Sequence, residues 1–113
     1  MANIKATLAS VEAEKHQDQV IKNLKLALLH TGWTQKDVLK KAGLSSNVLY
    51  SFFSKKSNMT LINLIAICNV IEIEPSLIIS EKELTTNQIK FNKSLNELDE
   101  TKLLKVMSIL EDL

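Results

Sequence analysis

The chain of 113 residues is 45% hydrophobic, which is enough for one core of ordinary size but not for two. Its single cysteine excludes an internal disulfide, and no apolar run approaches the roughly 18 residues that a membrane span needs. The formal net charge of +1 does not by itself indicate a polyanionic partner, and the N-terminus lacks a secretory-signal pattern, so we expect a cytoplasmic protein.

The N-terminal third predicts one helix preceded by a weaker segment. Residues 1–16 have moderate helical propensity but few apolar side chains, a pattern typical of either an arm or a frayed helix. From Asp18 the apolar residues follow the 3.6-residue period of a helix, which Gly32 ends. They are Val20, Ile21, Leu24, Ala27 and Leu28. Trp33 is predicted to fold back as a lid on the core.

Two short helices joined at Gly43 are predicted next. Thr34 can accept a hydrogen bond from the Asp37 backbone N–H while the Asp37 carboxylate reaches back, so a helix begins at about Gln35. Its apolar side consists of Val38, Leu39 and Ala42. Gly43 stops this helix, because glycine adopts a left-handed backbone without a Cβ clash.

The second of these helices separates a buried stripe from a polar face. Leu44 is an apolar plug in the turn, and Ser45 is predicted to cap the helix that follows. Leu49 and Phe52 form the buried stripe, with Val48 alongside. The opposite side carries Ser46, Asn47, Tyr50 and Ser51. Small polar and aromatic groups of this kind can meet the edges of bases in the DNA major groove.

Helical signals continue after the loop of residues 54–58. Thr60 can cap a helix from Leu61 to Ile71, and Pro75 can open a further short helix because its missing N–H costs nothing in a first turn. The longer helix is predicted to bury Leu61, Leu64, Ile65, Cys68 and Ile71. Cys68 on this stripe is expected to pack in the core rather than to act as a nucleophile.

The C-terminal third contains one clear helix and one stretch without an assignment. In residues 81–95, Ile89 and Phe91 alternate as they would in a short strand, among poor helix formers. A helix at 99–113, capped by Asp99, has an apolar stripe that is too short to be stable alone. The stripe includes Leu103, Val106, Met107, Leu110 and Leu113. A second copy or the chain's own domain can cover it, and we expect a homodimer.

The two-helix motif is marked by Gln35, Val38, Gly43, Leu44, Ser45, Leu49 and Phe52. This spacing resembles the helix-turn-helix of the lambda-repressor/Cro (XRE) family of DNA-binding proteins. Residues 60–68 and 73–78 resemble that family's closing helices. The resemblance implies an all-α protein: a lambda-repressor-like five-helix DNA-binding domain at 17–79, between the N-terminal segment 1–16 and a C-terminal helical extension at 80–113.

Three positions differ from the family's pattern. Leu39 stands where a small alanine is usual, Phe53 and Ser54-Lys55 replace the common Glu-x-Gly after the second motif helix, and Glu72 stands where glycine often ends the next helix. Because a non-glycine residue at a left-handed position costs roughly 1–2 kcal/mol, we expect the helix before Glu72 to end in a different way.

The lysines are concentrated in the half that contains the motif. Residues 1–58 hold nine lysines and four acidic residues, a balance of +5, whereas residues 59–113 hold five lysines and nine acidic residues, a balance of −4. All fourteen basic side chains are lysine, so the arginine fork on guanine cannot form. Asn47 can instead pair with adenine, and Tyr50 or Val48 can touch a thymine methyl. This predicts an A·T-rich operator, although an A·T-rich genome would give the same composition.

In the resembled family, the first residue of the first motif helix holds a DNA phosphate, and the exposed first turns of the second helix read bases. This implies Gln35 for phosphate and Ser46, Asn47 and Ser51 for bases. From their own chemistry we add Tyr50 to the base contacts and the lysines beside the motif to the phosphate contacts. These lysines are Lys36, Lys55 and Lys56.

We therefore expect a sequence-specific transcriptional regulator, a dimeric repressor that binds a palindromic double-stranded operator. The alternative is an antitoxin or a protein-interaction adaptor that uses the same fold to bind a partner protein. An enzyme is not expected, because no catalytic arrangement of residues is visible. Neither a metal nor a cofactor is expected, since His16 and His30 lack companions at metal-ligand spacing.

Overall fold

The computed structural model describes residues 7–97 and 100–112, without the side chains of Glu100 and Leu103. All regular structure in these residues is helical, which confirms the expected all-α class. The helices are α1 (Leu8–Thr31), α2 (Gln35–Ala42), α3 (Val48–Phe53), α4 (Leu61–Ile71), α5 (Pro75–Ile78), α6 (Thr86–Asn96) and α7 (Glu100–Glu111). The predicted cap Asp99 and the last stripe residue Leu113 lie outside the described residues.

The first six helices enclose one core. Helix α1 packs on α4, α5 and α6, while α2 packs on α3 and α4. The most deeply buried side chains include Leu24, Leu39, Leu49, Ile67 and Ile78. Full burial of a leucine or isoleucine side chain stabilises a fold by roughly 1.5–3 kcal/mol. These contacts fix α2 and α3 to the rest of the molecule.

Helix α1 begins earlier than the apolar period from Asp18 indicates. Thr7 caps it, because the Thr7 hydroxyl accepts from the Ser10 N–H and the Ser10 hydroxyl accepts from the Thr7 N–H, both at 3.0 Å. Residues 8–16 are therefore helical and continuous with the predicted helix. Trp33 is half-buried against the core, as predicted.

Helices α1, α2 and α4 end at a left-handed residue, a fourth left-handed residue lies just after the end of α3, and only two of these four residues are glycine. Their φ angles are 78° at Gly32, 72° at Gly43, 61° at Lys55 and 59° at Glu72. The expectation that α4 would end differently is wrong. The Ile73 N–H still donates to the Cys68 carbonyl at 3.1 Å, which is the hydrogen bond typical of helix ends that glycine forms.

Helix α6 holds the strained turn after α4 in place. The Glu72 carbonyl accepts from the side-chain amides of Asn92 at 2.6 Å and Asn96 at 2.9 Å. The Asn92 carbonyl oxygen in turn accepts from the Glu74 N–H at 3.2 Å. These hydrogen bonds offset the conformational free-energy cost of the left-handed Glu72, because a hydrogen bond between uncharged groups contributes about 1 kcal/mol.

The predicted buried face of α4 is partly wrong. Leu64, Cys68 and Ile71 are buried as predicted, but Ile67 joins them, while Leu61 is 64% exposed and Ile65 is 37% exposed. The seam against α1 and α2 follows residues 64, 67, 68 and 71, which lie within one narrow arc of the helix. Leu61 lies in the first turn of the helix, and Ile65 lies beyond the edge of this arc.

Residues 86–96 are helical, so the strand alternative for Ile89 and Phe91 is wrong. A capping box starts this helix: the Thr85 hydroxyl accepts from the Gln88 N–H at 3.1 Å, and the Gln88 side chain accepts from the Thr85 N–H at 2.9 Å. Ile89 is buried on the core side, whereas Phe91 is 58% exposed on the outer side.

Asn23, in the middle of α1, fastens the segment between α5 and α6 to the core. Its side chain is 1% exposed. Its Nδ2 donates to the carbonyls of Ile78 at 3.1 Å and Lys82 at 3.0 Å, and more distantly to Ser80 at 3.4 Å. Its Oδ1 accepts from the Leu84 N–H at 2.8 Å. One buried amide therefore bonds to four backbone groups of this segment.

Helix α7 does not belong to the closely packed helix pairs of the core. The radius of gyration is 16.8 Å, compared with about 13 Å for a compact domain of this length, and the molecule measures 56 × 35 × 21 Å. Val106 is half-buried, while the other described apolar side chains of α7 are 49% to 63% exposed. They are Leu104, Met107, Ile109 and Leu110.

Replacing Gly43 by alanine is expected to lower the free energy of unfolding by roughly 1–2 kcal/mol, measured by urea unfolding. The backbone there has φ 72°, and an added Cβ would meet nothing within 4 Å, so the cost is conformational rather than steric. Gly43→Asn is the matched control, because asparagine tolerates the left-handed region better than alanine. Equal losses for alanine and asparagine would contradict this explanation.

Candidate nucleic-acid interface

The start of α2 presents Gln35 and Lys36 to solvent. Thr34 caps the helix as predicted, since its hydroxyl accepts from the Asp37 N–H at 3.1 Å. The predicted return bond from the Asp37 carboxylate is not formed, so this half of the capping box is wrong. Gln35 is the first helical residue, and both it and Lys36 are exposed. Free backbone N–H groups at this end make the position suitable for a phosphate.

The turn between α2 and α3 is held by two backbone hydrogen bonds. The Gly43 N–H donates to the Lys40 carbonyl at 3.2 Å, and the Leu44 N–H donates to the Leu39 carbonyl at 2.9 Å. Leu44 is half-buried against the core, as predicted for an apolar plug. The left-handed Gly43 therefore sets the direction in which the chain enters the next helix.

Ser45 is not the cap of α3, which corrects the prediction. The Val48 N–H donates to the Ser45 carbonyl at 3.2 Å, so residues 45–48 form a turn and the helix begins only at Val48. Asn47 occupies the capping position without a side-chain cap bond. The Ser45 hydroxyl donates instead to the Asn47 Oδ1 at 2.9 Å. Ser45 thus orients Asn47 rather than the helix.

Asn47 and Ser46 are exposed in the turn that leads into α3. Within the described part of the chain, the Asn47 Nδ2 has no hydrogen-bond partner, while its Oδ1 is fixed by Ser45. A side-chain amide that offers both a donor and an acceptor can pair with the N6 and N7 edge of adenine. The turn therefore presents a preoriented amide group to solvent.

Helix α3 turns one face to the core and the other to solvent. Leu49 is fully buried and Phe52 is 7% exposed, whereas Tyr50 is 59% exposed. Ser51 is half-buried, so of the four predicted base-contacting residues it is the least accessible. The buried pair holds α3 in position, while Ser46 and Asn47 before the helix and Tyr50 within it are exposed to solvent.

The loop after α3 carries the two remaining predicted phosphate contacts. The Lys55 N–H donates to the Phe52 carbonyl at 3.1 Å, and the Lys56 N–H donates to the Ser51 carbonyl at 2.8 Å. The left-handed Lys55 stands where glycine is usual in the resembled family. Both lysines are exposed, and they lie at the end of α3 rather than at its start.

Each lysine of this loop has a partner that sequence reasoning missed. The Lys55 ammonium forms an ion pair with Asp18 of α1, with both side chains about half exposed. The Lys56 ammonium lies 5.0 Å from the centre of the Tyr50 ring and donates to its hydroxyl at 3.4 Å. Asp18 lies 37 residues before Lys55, so no local sequence pattern predicts this ion pair. The six-residue separation of Tyr50 and Lys56 also fits no regular helical pair.

Of the predicted dimerisation residues, Leu103, Val106, Met107 and Leu110 lie on α7, which is a separate element from α2 and α3. Met107 and Leu110 are exposed and Val106 is half-buried. Nothing is described of the side chains of Leu103 and Leu113. The charge distribution agrees with this separation, because the lysine-rich half contains α2 and α3 and the acidic half contains α7.

Cys68 is a packed core residue, as predicted. It is 1% exposed, and burial raises the pKa of its thiol from 9.0 to about 11, with a further contribution from the Glu74 carboxylate. Since only the thiolate is a nucleophile, this environment opposes reactivity at neutral pH.

We expect the Cys68 thiol to resist Ellman's reagent at pH 8 in the native protein and to react at once in 6 M guanidinium. Between pH 9 and about 11 the thiol is deprotonated in the unfolded protein but still protonated in the folded one, so the free energy of unfolding falls as the pH rises through this range. Below pH 9 the thiol is protonated in both states, and its contribution to stability does not change with pH. Cys68→Ala is the control for this pH dependence, since it removes the group. A rapid reaction of Cys68 with the reagent in the native protein would contradict this prediction, because it would mean that the core around the thiol opens to solvent.

Comparison of the chain with protein-family models, with curated proteins and with solved structures finds no match in any of the three. None of the described helices is long and apolar enough to cross a membrane. The described residues also contain no group of three or more His, Cys, Asp or Glu side chains that could hold a metal ion. The functional interpretation therefore depends on the geometry of α2, the turn and α3.

Proposed function

We propose that this protein is a sequence-specific DNA-binding regulator of transcription, a dimeric repressor in which α1 to α5 form a lambda-repressor-like domain. One observation carries the proposal. Helices α2 and α3 are joined through the left-handed Gly43, and the turn into α3, together with Tyr50 of α3, carries exposed polar side chains without charge. An arrangement of this kind suits insertion into the major groove, where base edges offer donors and acceptors.

The side chains divide into two groups by what they can contact. Asn47 can form a paired contact with adenine, and Ser46, Tyr50 and Ser51 lie beside it for further base contacts. Gln35 and Lys36 at the start of α2, and Lys55 and Lys56 after α3, flank this surface on both sides and can bind phosphates. Phosphate contacts of this kind fix the register of α3 on the duplex without carrying sequence information.

The dimer proposal is supported by α7. A helix of 12 residues is marginally stable alone in water, and its described apolar side chains are largely exposed. A second copy would cover them and place two α3 helices on a palindromic site, with half-sites roughly 34 Å apart.

In-vitro selection of bound duplexes from random DNA tests the proposed function. We expect a palindromic consensus with half-sites about ten base pairs apart and A·T pairs at the recognised positions. A guanine-dominated consensus would contradict the predicted readout. No enrichment of any sequence at low salt would contradict the function itself, because low salt strengthens phosphate contacts most.

A protein-binding role, as an antitoxin or an adaptor, is the second candidate. The observation that favours it is an exposed apolar group on α4, with Leu61 64% and Ile62 77% exposed and Ile65 at its edge. Contiguous apolar side chains in solvent often mark a protein interface. Two results together would favour this candidate over the repressor. The wild type would co-purify with a stoichiometric partner that the Ile62→Lys variant does not bind, and the isolated chain would select no DNA sequence.

A further inference from the structure

Lys56 and Tyr50 form a contact on the exposed side of α3. The Lys56 ammonium lies over the Tyr50 ring, 5.0 Å from its centre, and its Nζ donates to the Tyr50 hydroxyl at 3.4 Å. Tyr50 itself is 59% exposed, so without a partner its ring would be free to rotate between staggered positions. The lysine restricts a side chain that the core does not hold.

The backbone on both sides of this contact is fixed. The Lys56 N–H donates to the Ser51 carbonyl at 2.8 Å, and the Ser54 hydroxyl donates to the Tyr50 carbonyl at 2.7 Å. The left-handed Lys55 between them turns the chain back towards α3. The loop backbone therefore holds the Lys56 Cα within side-chain reach of the Tyr50 ring, and the ring contact and the hydroxyl bond then select the side-chain position.

The hydrogen bond from Lys56 also determines what the Tyr50 hydroxyl can do. Since the hydroxyl oxygen accepts from the ammonium, its own hydrogen is directed elsewhere and can be donated to a base. Thymine presents an O4 acceptor next to a C5 methyl in the major groove, and no other base offers both. A hydroxyl donor attached to an apolar ring is complementary to this pair of groups.

We propose that Lys56 and Tyr50 read one thymine as a unit, with Lys56 as a positioning residue for Tyr50. An ammonium has three donors, so Lys56 can hold the hydroxyl and bind a phosphate of the same DNA strand together. The inference rests on the proposed DNA-binding function and makes it more specific. Lys56 then contributes to sequence preference, whereas an ordinary phosphate contact contributes only to affinity.

The test uses the operator selected by the wild-type chain and two replacements of each thymine in turn. Uracil keeps O4 and removes the methyl, so it reports the ring contact. 5-Methylcytosine, placed opposite guanine so that the base pair is intact, keeps the methyl and replaces O4 by an amino donor, so it reports the hydroxyl. Binding is measured for the wild type, Tyr50→Phe, Lys56→Met, the double variant and Lys55→Met. Lys55→Met is the matched control, because it removes a neighbouring charge that pairs with Asp18 rather than with Tyr50.

At one thymine of each half-site, the wild type is expected to prefer thymine over both replacements by about tenfold. Tyr50→Phe should lose the preference over 5-methylcytosine and keep the preference over uracil. Lys56→Met should lose the same preference, and the double variant should lose no more of it than either single variant. Lys55→Met should weaken all duplexes alike, with the thymine preference intact.

A Lys56→Met variant that weakens all duplexes alike and retains the thymine preference would overturn this inference while leaving the proposed function standing. Additive effects of Lys56→Met and Tyr50→Phe on the preference would also overturn it. If the wild type selects no sequence at all, the proposed function and this inference fail together. Thermal unfolding of every variant shows whether folding, rather than recognition, has changed.

Discussion

Replacing Asn23 by alanine is expected to destabilise the protein by about 3 kcal/mol, because three backbone groups lose their partner in the core. These are the carbonyls of Ile78 and Lys82 and the N–H of Leu84. A loss of this size lowers the melting temperature by roughly 10 °C in a chain of this length. Thermal unfolding followed by circular dichroism measures it.

Asn69→Ala is the matched control for Asn23→Ala. Asn69 lies on α4 and is exposed, so the same substitution there is expected to change stability by less than about 0.5 kcal/mol. Amide exchange adds a local readout, since the Leu84 N–H should lose its protection in Asn23→Ala before the core does. A melting curve like that of the wild type would show that the loop does not depend on Asn23.

Replacing Asn47 by alanine is expected to lower affinity for the selected operator by roughly 5- to 150-fold, which corresponds to about 1–3 kcal/mol. The side chain is exposed, its Oδ1 is oriented by Ser45, and no core contact depends on it. The loss should therefore appear in DNA binding and not in stability. Fluorescence anisotropy with the selected and a random duplex measures both affinities.

The two duplexes separate recognition from general attraction. Affinity of Asn47→Ala for the random duplex should stay within about twofold of the wild type, because phosphate contacts carry that binding. The exposed Asn69→Ala is again the control and should retain both affinities. Equal losses on both duplexes would mean that Asn47 does not read bases. If Asn47→Ala binds both duplexes as tightly as the wild type does, Asn47 is not part of the DNA-binding surface.

Several local features could be predicted because their causes lie within a few residues of sequence. The Thr34 and Thr60 caps, the left-handed Gly43 and the opening proline of α5 each follow from the chemistry of one short segment. The capping box at Thr85 is equally local, and its Thr-x-x-Gln signature could have assigned α6 from the sequence.

Other features depend on residues that are distant along the chain. The left-handed Glu72 is held by Asn92 and Asn96, and the burial of Ile67 instead of Leu61 depends on where α1 and α2 meet α4. The periodicity of α4 could not choose between these faces, since both satisfy a helical pattern. Tertiary packing selected one of them.

The candidate interface shows the same division. Amino-acid order alone indicated an apolar pair, Leu49 and Phe52, interleaved with polar neighbours, because side-chain polarity and helical spacing are properties of the segment itself. Three further features needed folded coordinates: the late start of α3, the Ser45 bond to Asn47 and the Lys56 contact with Tyr50. Each depends on the exact path of a turn, which the surrounding core fixes and residue types do not.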